Sequence, residues 1–286
     1  MTQRAAFITG CSSGIGRATA RLFAERGYEV VATARRLTDL ADLNDYERVH
    51  VTECDVRDEE SVRKAVEFAA ACCGGIDVLV NNAGYALVGP VATTSLDQAR
   101  QEFEVNTFGP PRVIQAALPY LLKSDRARVI NVSSIAGRVH VPLAGWYTAS
   151  KFALEGLNDA LRFELDPLGV RVISILPGPV LTPFMKKVSV PDLPASAPEL
   201  YRRYMAHYEQ RRAGRRPGAV SAETVARVIW RAAASGRPRS RYVVTAPAKL
   251  FNVARKFVPD RMWDYLTKRV YGFDSIERVY RRTRRG

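Results

Sequence analysis

The sequence predicts an α/β fold: a doubly wound parallel sheet of about seven strands with helices on both faces and a helical C-terminal extension. Three observations predict it. Short apolar runs that read as buried strands alternate with longer stretches of helical periodicity from Ala5 to Ala234. A glycine-rich turn follows the first apolar run directly. Small, amide or proline residues recur where later runs end, which is where open α/β sheets bind ligands. At 286 residues and 47% hydrophobic content, the chain can bury a large core. The expected division is a main domain over residues 1–247 and an appendage over residues 248–286.

Taken in order, Ala5 to Thr9 is a short strand, and Gly10-Cys11-Ser12-Ser13-Gly14-Ile15-Gly16 turns it into a helix with Ile15, Ala18, Thr19, Leu22 and Phe23 on one face. Glycines let backbone approach a phosphate, and free N–H groups at a helix start suit a pyrophosphate. A dinucleotide is therefore expected here, in a Rossmann-type arrangement. Glu29 to Ala34 is the second strand, where such folds commonly place an acid for the adenosine ribose. Here Thr33-Ala34-Arg35-Arg36 stands instead. A guanidinium with no carboxylate beside it favours a 2′-phosphate, so NADP(H) is expected over NAD(H), with Arg35 as its grip.

Val49 to Cys54 is the third strand, followed by Asp55-Val56. Asp55 is either an acceptor for the adenine amino group or a turn residue. Asp58 caps a helix to Ala71, and Gly74-Gly75 ends it. Asp77 to Val80 runs into Asn81-Asn82-Ala83-Gly84, a further candidate wall for the ligand. Leu96 to Leu122 is helical in pattern, broken near Asn106 and Gly109-Pro110-Pro111; either a kink that frees backbone groups or a loop between two helices fits. The strand Arg128 to Val132 leads to Ser134, and a helix from about Tyr147 to Leu165 stacks Tyr147 and Lys151 on one face. The strand Val170 to Leu176 ends in Pro177-Gly178-Pro179-Val180-Leu181-Thr182-Pro183, a rigid turn whose Thr182 hydroxyl could bond a nicotinamide amide. Ser221 to Ala234 reads as a capped helix and Arg241 to Thr245 as the last strand.

The ordered set Thr9 to Gly16, Asp55, Asn81 to Gly84, Asn106, Ser134, Tyr147, Lys151 and Pro177-Gly178 resembles the short-chain dehydrogenase/reductase family, in its compact single-domain branch with TGxxxGxG and YxxxK. The resemblance implies an oxidoreductase in which Tyr147 is the general acid or base. Lys151 would anchor the nicotinamide ribose and, with the oxidised nicotinamide, draw the Tyr147 phenol down toward the working pH. Ser134 would hold the substrate oxygen like an oxyanion-hole donor. Ser133 lies on the opposite face of the strand and is second choice. Asn106 would hold a water that relays protons to Lys151. The same resemblance places a substrate lid at about residues 183–217 and suggests a homodimer or homotetramer.

Pocket candidates near the lid are Tyr85, Ala86, Leu87, His140, Val141, Leu143, Trp146, Phe184 and Met185, of which His140, Leu143 and Phe184 join Ser134 and Tyr147 as expected substrate contacts. Their apolar character favours a lipophilic ketone, aldehyde or alcohol. The overall pattern is similar to members acting on steroids and retinoids. A non-catalytic NADP(H)-binding regulator is the alternative, disfavoured because Ser134, Asn106, Tyr147 and Lys151 are all present.

Composition limits the rest. No uncharged apolar run reaches the roughly 20 residues of a membrane span. With no signal-peptide pattern at Met1 to Ile8, a soluble, cytoplasmic protein is expected. Four cysteines lack metal-ligand spacing and are expected as reduced thiols, with no metal bound. The net charge of +14 belongs to the last third: residues 1–189 hold 21 Lys+Arg and 21 Asp+Glu, whereas residues 190–286 hold 22 and 8. Lys249 to Val258 and Asp260 to Tyr271 read as two basic amphipathic helices split by Pro259. They are an ordinary packed appendage, a peripheral contact with anionic membrane, or a contact with nucleic acid or another acidic partner; sequence-specific nucleic-acid binding is not expected.

Overall fold

The computed structural model describes residues 4–184, 188–214 and 218–283. Strands β1 (Ala5–Ile8), β2 (Glu29–Ala34), β3 (Val49–Glu53), β4 (Val78–Asn81), β5 (Arg128–Val132), β6 (Arg171–Leu176) and β9 (Arg241–Val243) form one parallel sheet in the order β3-β2-β1-β4-β5-β6-β9. The seven-stranded, doubly wound prediction is met. Two further strands, β7 (Val180–Leu181) and β8 (Val220–Ser221), pair separately and were not anticipated.

Alternation along each strand sends residues to opposite faces, and both faces are buried. Ala6, Ile8, Val30, Ala32, Val78, Val80, Ile130 and Ile173 meet Phe23, Val225 and Ile229 on one side, beneath helices α1 (Gly14–Glu25) and α7 (Ala222–Ala234). Phe7, Val31, Leu79, Val129 and Val172 meet Val62, Val66, Val113 and Leu165 on the other, beneath α2 (Glu59–Cys73), α4 (Gly109–Leu121) and α5 (Gly145–Leu165). Strand continuity without charged interruption reflects this double covering. The chain leaves β1 toward β2 and β3, then returns past β1 to β4. The crevice between the carboxyl ends of β1 and β4 is the switch point at which such sheets bind ligands.

Near Asn106 the kink is what occurs. Helix α3 (Leu96–Phe103) passes through a π turn over Glu104–Phe108 into α4, and the Gly109 N–H donates to the Glu104 carbonyl. Pro110 and Pro111 fall in the first turn of α4, where a missing N–H costs least.

The tail differs from expectation in two ways. Helix α8 (Ala246–Ala254) starts earlier than Lys249, so the expected division at 247/248 falls inside its first turn. After α9 (Asp260–Tyr271), Gly272 at φ 75° reverses the chain into α10 (Phe273–Thr283), a helix absent from the sequence reading. Helix α10 returns to α6 (Glu199–Ala213): the Tyr204 hydroxyl donates to Glu277 Oε1 at 2.8 Å and the rings of Tyr204 and Phe273 lie 4.6 Å apart. Among the described residues no helix is long and apolar enough to cross a membrane.

Candidate active site

The strand ends open on a cleft of about 1060 Å³ that runs from Arg35 and Asp55 past Gly10 to Gly14 and on to Tyr147. Its floor near Gly10 and Gly16 is backbone, built by close approach. A Cβ on Gly16 would sit 2.4 Å from Asn82 Nδ2 and 2.5 Å from the Gly10 carbonyl oxygen. A Cβ on Gly10, which has φ 73°, would lie 2.8 Å from Ala83 Cα. Asn82 Nδ2 donates to the Thr9 and Gly10 carbonyls at 2.9 and 3.1 Å, and the N–H groups of Asn82 and Ala83 donate to Thr9 Oγ1. Asn82 therefore locks the glycine turn to the end of β4 as well as lining the cleft. Ser13 caps α1 without a side-chain bond, and no acid sits in the first turn of that helix. This leaves donors and a partial positive charge facing the cleft, the chemistry a pyrophosphate needs. Ile15, Val56, Gly84, Pro177, Gly178, Val180 and Thr182 line it as expected, with Thr182 Cβ set 3.2 Å from where a Gly14 Cβ would stand.

At the other end of the floor, three arginines converge and only one is free of a carboxylate. Arg36 pairs with Asp39 (Nη2–Oδ1 2.8 Å), and Arg57 grips Asp55 in a fork (Nη2–Oδ2 2.6 Å) that holds the Asp55 carboxyl below its usual range. Arg35 is exposed and makes no hydrogen bond or ion pair among the described residues. The sequence reading saw no acid here; Asp39 does line the cleft, but its carboxylate is neutralised by Arg36. Arg57 was overlooked, although it lies two residues beyond Asp55.

The tyrosine end is built from side chains. Ser134 caps the short turn Ile135–Gly137, accepting from the Ala136 N–H at 3.0 Å, and also bonds the Tyr147 hydroxyl. The Ser133 hydroxyl is buried and has no partner among the described residues. Lys151 is buried and donates from Nζ to the Val132 carbonyl at 3.2 Å. Burial brings its ammonium down to about 8, against the pull of Glu102 and Glu155. Burial also pushes the Tyr147 phenol up to about 12, the Ser134 bond opposing it and Glu102 adding to it. Desolvation dominates in the chain alone, and Lys151 Nζ lies 5.9 Å from the centre of the tyrosine ring. The protein holds a neutral phenol, the proton-donating form.

Asn106 is buried at the π turn, where the expected kink occurs. Its side chain is fully engaged: Oδ1 accepts from the Tyr85 N–H at 3.2 Å, and Nδ2 donates to the Tyr85 carbonyl and to Ser150 Oγ at 2.9 and 3.1 Å. The π turn frees backbone groups beside it that could hold a water. A Cβ on Gly84 would stand 3.0 Å from Asn106 Oδ1 and 3.7 Å from Lys151 Nζ, so the Asn81–Gly84 turn and the catalytic pair pack directly.

Sequence reasoning missed Glu102. It lies four residues before Asn106, on the same face of the helix, and is completely buried. The Leu87 N–H donates to Oε1 at 2.8 Å; Oε2 has no partner among the described residues. Burial raises its carboxyl to about 7, with Lys151 pulling it down. The i, i+4 relation to a residue expected inside was the available signal.

Toward the substrate, Tyr147 packs with Ala86, Val141, Leu143, Ala144, Phe184, Val188 and Met205 in one apolar cluster, the rings of Tyr147 and Phe184 standing 6.4 Å apart. Leu143 holds φ 62°, a left-handed conformation that costs a leucine roughly 1–3 kcal/mol. Tyr85 and Leu87 line the cleft. Trp146 faces Phe103 instead, with ring centres 6.4 Å apart. His140 is corrected: it does not line the cleft but stands against the tail, 6.4 Å from the Trp263 ring and 4.0 Å from Asp264 Oδ1. Met185 lies outside the described residues.

Away from the cleft, the fold gathers what the sequence keeps apart: ligand atoms of His50, Cys72 and Cys73 lie within 4.8 Å of one another. The His50 Nε2 is already bonded to Glu29 Oε2 at 2.9 Å, and burial pushes the Cys73 thiol up. All four cysteines are free.

A family profile described as short chain dehydrogenase matches residues 4–192. The chain is similar to a 3-ketodihydrosphingosine reductase of Bacteroides thetaiotaomicron, 31% identical over 92% of this chain and 96% of the relative. It is similar also to an NADPH-dependent 3-dehydrocapnine reductase of Ornithobacterium rhinotracheale, 35% identical over 91% and 95%. Among solved structures, a short-chain dehydrogenase from Streptomyces avermitilis superposes with a TM-score of 0.79 at 29% identity, covering 98% of both chains. One from Burkholderia cenocepacia in complex with NADP scores 0.71 at 28% identity over 92% and 96%, and one from Burkholderia phymatum in complex with NAD scores 0.75 at 27% over 88% and 92%. With a glycine floor shaped for a dinucleotide and a serine-bonded tyrosine at its end, this chain belongs to the short-chain dehydrogenase/reductase family of oxidoreductases.

Proposed function

We propose that the protein is an NADP(H)-dependent reductase of a lipophilic ketone or aldehyde, working reversibly with the matching alcohol. The observation that carries this reading is the setting of Tyr147: a neutral phenol, bonded to Ser134, forming one side of an otherwise apolar cluster. A substrate carbonyl placed there meets a proton donor at one atom and hydrocarbon everywhere else.

The bound dinucleotide supplies or accepts the hydride; the rest is done by the chain. Tyr147 gives its proton to the carbonyl oxygen, and the Ser134 hydroxyl steadies the negative charge that develops there. Lys151, charged below about pH 8, offsets the charge left on the phenol and holds the ribose. The unpaired Arg35, with Arg36 beside it, supplies positive charge where a 2′-phosphate would lie, which favours NADP(H). Some structural neighbours hold NAD, so this preference rests on Arg35 rather than on the fold. Two relatives are reductases named for a 3-keto and a 3-dehydro substrate, one of them NADPH-dependent, which favours the reductive direction and a long-chain ketone.

The test is NADPH and NADH oxidation across long-chain, steroid, retinoid and small aromatic carbonyls. Turnover of the long-chain or other lipophilic ketones with NADPH is expected, lost in Tyr147→Phe. Preference for small polar carbonyls, or undiminished turnover in Tyr147→Phe, would defeat the proposal.

A further inference from the structure

We infer that helices α8 and α9 form a docking surface for the face of an anionic lipid bilayer. Helix α8 and its continuation expose Leu250, Val253 and Phe257, with Leu250 67% and Phe257 79% accessible. These lie at i, i+3 and i+7, a single outward stripe. Lys249 and Lys256 stand immediately beside it. Helix α9 likewise exposes Met262, Leu266 and Val270, while Trp263 turns inward. Apolar side chains on this scale, repeated on consecutive helices, mark an interaction surface rather than scattered exposure.

The charge identifies the occupant. Residues 246–286 hold 11 Lys+Arg and 4 Asp+Glu. Three of the four acids are already paired within the tail: Asp260 with Arg255, Asp274 with Arg278 and Glu277 with Lys268. Lys249, Lys256 and Arg261 have no acidic partner among the described residues. Apolar side chains flanked by uncompensated cations are the composition that lies in the interface of an anionic membrane. A second copy fits worse, because self-association would bring two surfaces of the same charge together. A nucleic acid would meet the cations but leave Leu250, Val253, Met262 and Val270 in water.

Placement gives the surface a purpose. Trp263 joins the two helices to the substrate end, its ring 6.1 Å from Phe251 and 6.4 Å from His140, three residues before Leu143 in the wall beside Tyr147. A bilayer touching α8 and α9 thus lies on the side of the molecule where Trp263 meets the segment that leads to Leu143. Docking itself follows from the surface; that it brings lipophilic substrate to the cleft rests on the proposed function.

The experiment is co-sedimentation of the full-length chain with phosphatidylcholine vesicles, with and without phosphatidylserine, at low and physiological salt. Binding is expected only where phosphatidylserine is present. At about 1 kcal/mol per cation, the triple variant Lys249→Gln, Lys256→Gln, Arg261→Gln should partition on the order of 100-fold more weakly. The double variant Leu250→Ser, Phe257→Ser should lose the binding that survives physiological salt, with an unchanged melting temperature to show it is folded. Failure to sediment with phosphatidylserine vesicles at low salt overturns the inference. So does sedimentation indifferent to Leu250→Ser and Phe257→Ser, which would be adhesion of a polycation, and so does a concentration-dependent dimer abolished by those variants in place of vesicle binding. Vesicle binding is read without turnover, so it can stand if no carbonyl is reduced, and it can fail while reduction succeeds.

Discussion

The two ends of the cleft are made of different materials. The glycine end is backbone, held by Thr9 and Asn82, and its demands are steric. The tyrosine end consists of side chains, half-buried Tyr147 and buried Lys151 and Glu102, whose proton affinities desolvation has shifted. The first should therefore respond to the size of a substituent and hardly to pH. The second should respond to pH and to the loss of single atoms.

The largest expected effect is at the tyrosine end. Tyr147→Phe removes one oxygen and should lower turnover by roughly 10²–10⁴-fold, while dinucleotide affinity measured by fluorescence titration changes little. At the glycine end, Gly16→Ala adds one carbon against Asn82 and Gly10; such overpacking costs about 1–3 kcal/mol, so dinucleotide affinity should fall roughly 10- to 100-fold with the pH profile unmoved. Arg35→Ala should weaken NADPH by about 10-fold or more and leave NADH nearly unchanged, since a hydrogen bond to a charged group contributes about 1.5–3 kcal/mol; equal losses for both would show that Arg35 does not read the 2′-phosphate.

The smallest effect concerns Glu102 and sharpens the contrast most. Reductive turnover should fall as pH rises through about 8, where Lys151 loses its proton. Glu102 holds that ammonium up, so Glu102→Gln, which keeps an acceptor for the Leu87 N–H, should move the alkaline limb to lower pH. The same variant tests stability. A carboxyl raised to about 7 in the folded chain binds its proton more tightly there than in the unfolded chain, so its burial costs nothing at low pH and destabilises increasingly as pH rises from about 4.5 through 7. Glu102→Gln should therefore raise the melting temperature by a few degrees at pH 8 and leave it unchanged at pH 4. A melting curve indifferent to pH would mean that Glu102 is not held in a dry site.

How much of this was legible depended on whether a residue's role is set locally. The strands were readable because residues such as Val30, Val31 and Ala32 are buried on both faces and leave an unbroken apolar run. The glycine turn was readable because Gly10 and Gly16 answer to their own neighbours along the chain and to one facing turn. Glu102 was not, because its burial is imposed by Leu87 from another segment and its helix otherwise looks solvated. His140 was misplaced for the converse reason: the partner that takes it from the cleft, Trp263, lies more than a hundred residues away. The π turn left only a break in periodicity, and α10 is a short helix whose support comes from α6.

Gly178 borders the cleft, yet a Cβ there would stand 2.2 Å from Thr245 Oγ1 and 3.0 Å from Ala248 Cβ at the start of α8. The dinucleotide loop and the appendage are thus keyed together where one has no side chain and the other has small ones. Across relatives, positions 178, 245 and 248 should change in concert, and grafting a foreign tail onto this catalytic core should succeed only when the graft brings small residues at those two tail positions.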